Sequence, residues 1–497
     1  MSSLANALRP RAVRQSPAVH VLGALLAAAF LGLVASSDPV AAVALGFGLV
    51  LVAASLLRPS LAIYAFCFLL YSNAVTVAVR FHGVPFALGA LFPAVLFVPL
   101  WHHAVVRREG LLIVPALPWI AVFASVMCLG TVFARDPAVA LGGLREFLLE
   151  GVLLFFLVTN AVRTREALRR LTWALLLAGL LLAAGPLYQQ LTGSFHTDLG
   201  GFGQLDGMPF RDGRGGQQQR LAGAIGETNR YAQLMLVLFP LAVFTFLHER
   251  SRWLRALALG CAAALLAGFA LAFSRGGAVG AALLFAAMLA LRVFRLRQAL
   301  GVAAVGVLVL AATPQYLARL LPVADFLKGE QRIQQADGAI RGRVTEMLAA
   351  WRIFAEHPVV GVGPEMFPHY SRQVGNTFGI RRLDEPRQAH SLPLQVAAEN
   401  GALGLAAFAA IVAVSLGGLL RARRRWLPER PERARLSTAY LLALVAYLGP
   451  GMFLHLSYVR YFWFLLALAA VAAAVEGGAR PAAVWRRLPA ARTGAGA

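Results

Sequence analysis

Lysine is almost missing from this 497-residue chain: of 46 basic side chains only Lys328 is a lysine, and the rest are arginine. Acidic residues number 23, so the formal net charge is +23, yet charged residues of both signs make up only 14% of the sequence. Cysteine is scarce as well. Cys67, Cys128 and Cys261 each fall inside an apolar run and have no metal-ligand spacing, so they carry no metal or redox signal. There is no Walker sequence, no GxGxxG after a strand and no HExxH, which leaves nucleotide-binding and zinc-hydrolase readings without their residues. No repeat with a period of about 20–50 residues is visible.

What the chain has instead is hydrocarbon. Hydrophobic residues make up 59% of it and the mean hydropathy is +0.68, far more apolar surface than a soluble core of this size needs. The excess is arranged in runs of about 17–22 residues, each able to cross a bilayer as a helix. Candidate spans lie near 19–36, 40–57, 61–79, 83–101, 111–133, 145–162, 171–190, 226–247, 256–273, 277–291, 299–314, 393–420, 437–455 and 461–476. The expected fold is therefore an all-α polytopic transmembrane bundle of about 12–14 spans.

The arginines cluster in alternate loops: Arg9 to Arg14, Arg107 and Arg108, Arg163 to Arg170, Arg250 to Arg255, Arg292 to Arg297, and Arg421 to Arg435. By the positive-inside rule these loops and the tail with Arg480, Arg486, Arg487 and Arg492 are cytoplasmic, as are both termini. The high positive charge thus reports orientation and does not call for a nucleic-acid partner. The basic N-terminus precedes a long apolar stretch with a second span directly after it, so it reads as an uncleaved first helix. Two long outer loops remain, at about 191–225 and 315–392. They divide the chain into N-terminal helices (1–190), a loop-bearing core (191–420) and C-terminal helices with a basic tail (421–497).

Arginines on the outer side run against the positive-inside bias and need a local reason. Arg220 ends the Gly- and Gln-rich first loop, and Arg275 sits in the turn Ser274-Arg275-Gly276-Gly277, where the glycines leave room for close approach. A guanidinium fork can hold a phosphate in two places, although by position alone both residues read more readily as snorkelling to lipid head groups, and Arg275 is the better candidate of the two. Arg145, Arg341 and Arg343 are weaker versions of the same case.

The second loop contains a predicted helix over 343–356. Val344, Met347, Leu348, Trp351 and Phe354 or Ala355 form its apolar face, with Arg343, Glu346, Arg352 and Glu356 on the polar one. His357-Pro358 ends it, and Gly361-Val362-Gly363-Pro364 is a tight turn by composition. The loop closes on His390, where Ser391 or a neighbour can cap a helix with Pro393 in its first turn. His390 at that junction could be a general base, a proton shuttle or a donor to phosphate, or merely a surface residue or cap. Glu399 falls about 13 Å further along a continuous helix, where a carboxylate is costly unless paired; it could hold an arginine or orient His390.

Taken in order, Arg220 and Asn229, Ser274-Arg275-Gly276, Gly342-Arg343 with Trp351, His357 to Pro364, Ala389-His390, and Glu399 to Gly404 resemble the O-antigen ligase and O-antigen polymerase family of bacterial membrane glycosyltransferases. The resemblance covers about 215–420. Ser391 departs from it, since the family commonly has Asn after the histidine. It implies glycan transfer from undecaprenyl diphosphate to an acceptor hydroxyl, either lipid A-core or another glycan, at the periplasmic face of the inner membrane. It also implies inversion at the sugar and no metal or other cofactor. Within it, His390 would activate the acceptor and Arg220 and Arg275 would hold the donor diphosphate, with Glu399, Arg343, Arg341 and Arg145 in support. The expected activity is that of a ligase, with an O-antigen or exopolysaccharide polymerase as the alternative and a lipid-glycan transporter as the remote one.

Overall fold

The computed structural model describes residues 36, 38–204, 210–211, 217–294, 297, 300–301, 304, 338–454 and 460–477. The windows at 19–36 and 299–314 fall almost wholly outside these residues, as does most of the first half of the second outer loop.

Among the described residues the protein is helical apart from one short hairpin, β1 (Phe210–Arg211) paired antiparallel with β2 (Gln217–Gln218). The first helices are α1 (Pro39–Leu57), α2 (Ser60–Tyr71), α3 (Ala74–Phe81), α4 (Phe86–Val106, broken by 3-10 and π turns) and α5 (Leu117–Val132). Next come α6 (Pro137–Glu146), a π turn (Phe147–Leu153), α7 (Leu154–Ala161), α8 (Arg165–Thr192), α9 (Thr228–His248), α10 (Arg252–Leu271) and α11 (Arg275–Ala290). The last group is α12 (Gly338–Glu356), α13 (Phe367–Asn376), α14 (Leu392–Trp426), α15 (Ala434–Gly451) and α16 (Arg460–Gly477). Short polar side chains fix many starts: Asp38, Asp136, Thr164, Ser251 and Ser274 each accept a backbone N–H of the first turn.

Seven of these helices are long and apolar enough to cross a membrane, or eight if the bent pair α2 and α3 counts as one span. The protein is a multi-pass membrane protein. Of the other windows, 437–455 becomes the 18-residue α15, and the rest are helical but interrupted or short: 111–133 becomes the 16-residue α5, 277–291 the 16-residue α11, and 145–162 the α6, π-turn and α7 series. Hydropathy counts apolar residues and does not register where the backbone bends.

The centre of the bundle is α16, whose residues are apolar all round and almost wholly buried, as a helix surrounded by helices must be. Its Phe462 and Trp463 join Phe123, Phe147 and Phe408 in one aromatic cluster, with Phe147 and Trp463 centroids 5.0 Å apart. Small residues set the closest crossing. A Cβ on Gly449 of α15 would lie 2.9 Å from the Cα of Gly280 of α11, so the two backbones touch there.

The arginine-rich loops gather at one end. Arg165 contacts Glu476 at 3.8 Å, Arg169 contacts Glu249 at 3.5 Å, Arg163 donates to Gly110 O, and Arg423 donates to Leu291 O. Arg275 and His390 lie at the opposite ends of α11 and α14, at their starts, and Arg220 donates to Ala272 O just beyond the far end of α10.

One expectation is corrected. Helix α12 starts at Gly338, and its buried face is Val344, Thr345, Glu346, Ala349, Ala350 and Ile353, while Trp351 is 58% exposed. The face chosen by hydrophobicity is only partly the one that packs. Small side chains allow α12 to approach α14 closely, and the bulky Trp351 is left on the outside.

Candidate active site

The site is organised by a break in α14. Gly401 has φ 63° and ψ −166°, a conformation open essentially to glycine alone. At the break the turn after α12 enters the helix. Ala398 O and Glu399 O, which an unbroken helix would pair with Ala402 N and Leu403 N, instead accept from Val362 N (3.0 Å) and Gly363 N (2.9 Å). Ala402 N and Leu403 N in turn donate to Pro358 O (2.7 Å) and Val359 O (3.3 Å). Every backbone group displaced by the break is satisfied, which a chain inside a membrane requires. A Cβ on Gly401 would lie 2.2 Å from Val359 O, and one on Gly361 2.4 Å from the Glu399 carbonyl carbon. The motifs at 357–364 and 399–404 are thus two halves of one joint.

This joint holds the first helical segment of α14, with His390 just before it. His390 is in the left-handed region (φ 47°) and turns the chain from loop to helix, while Ser391 is extended and makes no side-chain cap. Nδ1 of His390 donates toward Gln388 O at 3.1 Å, and Glu346 Oε2 of α12 contacts the same nitrogen at 2.7 Å, off the N–H axis. Two acceptors around Nδ1 assign the proton there and make Nε2 the basic nitrogen. The Glu346 side chain is 1% exposed, and its second oxygen faces Arg387 Nη1 at 3.7 Å. Arg387 is the cation that faces this deeply buried carboxylate.

Glu399 is fully buried and is linked toward His390 through Gln395, whose Nε2 donates to both Glu399 Oε1 (3.2 Å) and Gln388 Oε1 (2.6 Å). Glu346, which the sequence pattern put on a polar face, lies directly beside His390. Glu365, at φ 57° in the turn beyond the joint, hydrogen-bonds to the same Gln388. Burial, followed by the nearby Glu146, holds its carboxyl above the ordinary value.

The arginines form the neighbouring cluster. Arg220 donates from Nε to Ala272 O (3.0 Å) at the end of α10 and from Nη2 to Asn229 Oδ1 (3.3 Å). Ser274 Oγ donates to the same Asn229 oxygen at 2.9 Å and accepts from Gly277 N. Arg275 follows as the first residue of α11 and, with Arg343 of α12, lines a cavity of about 80 Å³ walled by Val279, Met347 and Phe453. On α12 Arg343 is one turn from Glu346, so a single helix links the arginine cavity to the His390 carboxylate. Arg341 is partly buried on α12 and is not among the residues lining that cavity, and Arg145 is exposed near the end of α6. The structure thus groups His390 with Glu346, Arg275 with Arg343, and Arg220 with Ser274; it leaves Arg341 and Arg145 at the margin.

Residues 260–409 match the family model described as O-antigen ligase. This segment is similar to an O-antigen ligase domain. The matched segment includes Arg275, Arg343, Glu346, His390 and both halves of the α14 joint, and Arg220 lies upstream of it. No curated protein matches the chain. The O-antigen ligase and polymerase family consists of membrane enzymes that act on lipid-linked glycans, and the helical bundle described above agrees with that match.

Proposed function

We propose that the protein is an O-antigen ligase acting at the periplasmic face of a bacterial inner membrane, moving a glycan from undecaprenyl diphosphate to a hydroxyl of lipid A-core. The observation that carries this reading is the pairing of His390 with a buried carboxylate one helical turn from Arg343, which shares a cavity with Arg275. The donor is half lipid and half diphosphate, and such a molecule needs cations at the membrane surface beside an apolar bundle. The gathering of arginine-rich loops at the opposite end supports placing His390 outside.

In the proposed step the acceptor oxygen attacks the anomeric carbon as the bond to the diphosphate breaks, inverting the configuration. His390 Nε2 takes the hydroxyl proton, and Glu346 balances the imidazolium that forms. Negative charge grows on the departing diphosphate. Arg275, Arg343 and Arg220 then stabilise the transition state more than the ground state. The cations in this reaction are side chains, so no step calls for a metal.

His390→Ala should lower transfer on the order of 10²–10⁴-fold while the protein still inserts at wild-type level, measured with purified donor and acceptor. Normal transfer by that variant would remove His390 from the reaction. Gene deletion separates ligase from polymerase. Long glycan stranded on the carrier lipid supports the ligase, and single repeats attached to the acceptor support an O-antigen or exopolysaccharide polymerase.

A further inference from the structure

A second cavity, remote in sequence from the matched segment, has the shape and chemistry of a lipid slot. Helices α2 and α3 meet at a 61° bend, where Asn73 takes a left-handed conformation (φ 58°). Helix α4 is interrupted by a 3-10 stretch at Phe92–Leu96, and α7 is preceded by the π turn Phe147–Leu153. These irregular segments surround a cavity of about 590 Å³, within the 300–1,000 Å³ range of ligand pockets. Its walls are apolar and aromatic, including Phe66, Leu70, Phe92, Leu153 and Leu157. It opens along α4, a helix that packs little against the rest of the bundle and leaves Phe86 79% exposed.

One end is charged. Glu150 and Arg460 line it, with Arg460 Nη1 3.4 Å from Glu150 Oε1, and an adjoining pocket of about 80 Å³ that shares both residues adds Asn73; Arg80 is a third charged residue of the wall. Among the residues lining the slot, two guanidiniums stand against one carboxylate. This end also points toward the arginine cluster already described. Asn73 Nδ2 donates to Ala224 O at 2.7 Å, in the loop that follows Arg220. Arg230, next to the Asn229 that receives Arg220, is close enough to act electrostatically on Tyr461, the neighbour of Arg460.

We infer that this slot seats the isoprenoid chain nearest the phosphates of the lipid-linked donor, with Arg80 and Arg460 drawing the phosphate end toward Arg220. The inference rests on the functional reading above, because it takes the donor to be a polyprenyl diphosphate. A slot that narrows to a single small polar pocket suits one chain on one phosphate better than a two-chain phospholipid.

The test is photolabelling of the full-length protein in lipid nanodiscs with a photoreactive polyprenyl phosphate, which reports binding without turnover. Label should appear on peptides from α2 to α4 and from 147–157, and unlabelled polyprenyl phosphate should remove it while phosphatidylglycerol does not. Val75→Trp and Leu153→Trp, which fill the slot, should reduce that label on the order of tenfold. Arg80→Gln, an exposed change that does not challenge the fold, should reduce it several-fold. Label placed elsewhere, equal competition by phosphatidylglycerol, or full labelling of all three variants would overturn the slot. Transfer by His390→Ala with slot labelling intact would overturn the catalytic reading and leave the slot standing.

Discussion

Glu346 shows how a single residue can change the chemistry of its neighbour. Its carboxylate is buried at 2.7 Å from His390 Nδ1, whereas Arg387 reaches the other oxygen only at 3.7 Å from a side chain that is 42% exposed. The short contact carries most of the interaction, because the exposed partner is screened by water. Glu346→Gln should therefore lower turnover about 10–10²-fold with little change in donor KM, since the lost charge matters only once the histidine is protonated. Arg387→Gln should cost less than about threefold. Equal effects of the two substitutions, or a Glu346→Gln loss expressed entirely in KM, would make Glu346 a structural residue. His390 was legible in the sequence as a polar residue at a loop-to-helix junction. Glu346 was not, because it lies among Arg343, Arg352 and Glu356 in a stretch whose polarity reads as solvent-facing, and only packing against α14 turns it inward.

Among the elements, the joint in α14 has the largest consequences. Hydropathy reads 393–420 as one span, and the helix is indeed continuous to either side of residue 401, but the turn at 358–363 replaces two of its hydrogen bonds. The requirement for glycine at 361 and 401 is visible in the sequence only as composition. Its cause is the approach of two backbones, which no pattern within either segment encodes. Gly401→Ala places a Cβ 2.2 Å from Val359 O in a backbone region that already costs on the order of 1–3 kcal/mol for a side chain. It should lower the thermal midpoint in detergent and abolish transfer, while Gly260→Ala, on an open helix face with nothing within 4 Å, should do neither. A wild-type midpoint for Gly401→Ala would mean that the joint does not hold the site.

For the whole molecule the main prediction concerns orientation. A cysteine placed at Arg382, whose side chain is 83% exposed beyond α13, should react with a membrane-impermeant maleimide added to intact spheroplasts. One placed at Arg170, 63% exposed at the arginine-rich end, should react only after permeabilisation. The reverse pattern would put His390 in the cytoplasm and end the periplasmic reading. The ground for the expectation is the arginine asymmetry, which the structure collects at one end through the contacts of Arg163, Arg165, Arg169 and Arg423.

The sequence by itself determined the class of the molecule. Apolar runs long enough to cross a bilayer dictate helices, because a lipid-exposed backbone must satisfy its own hydrogen bonds, and the ordered motifs between 215 and 420 pointed to the O-antigen ligase family. Tertiary structure alone decided which polar groups meet. Glu346 with His390, Arg343 with Arg275, and the 358–363 turn with Gly401 join residues far apart in sequence. Periodicity registers neighbours along one helix, whereas these contacts depend on how closely small side chains let separate helices approach.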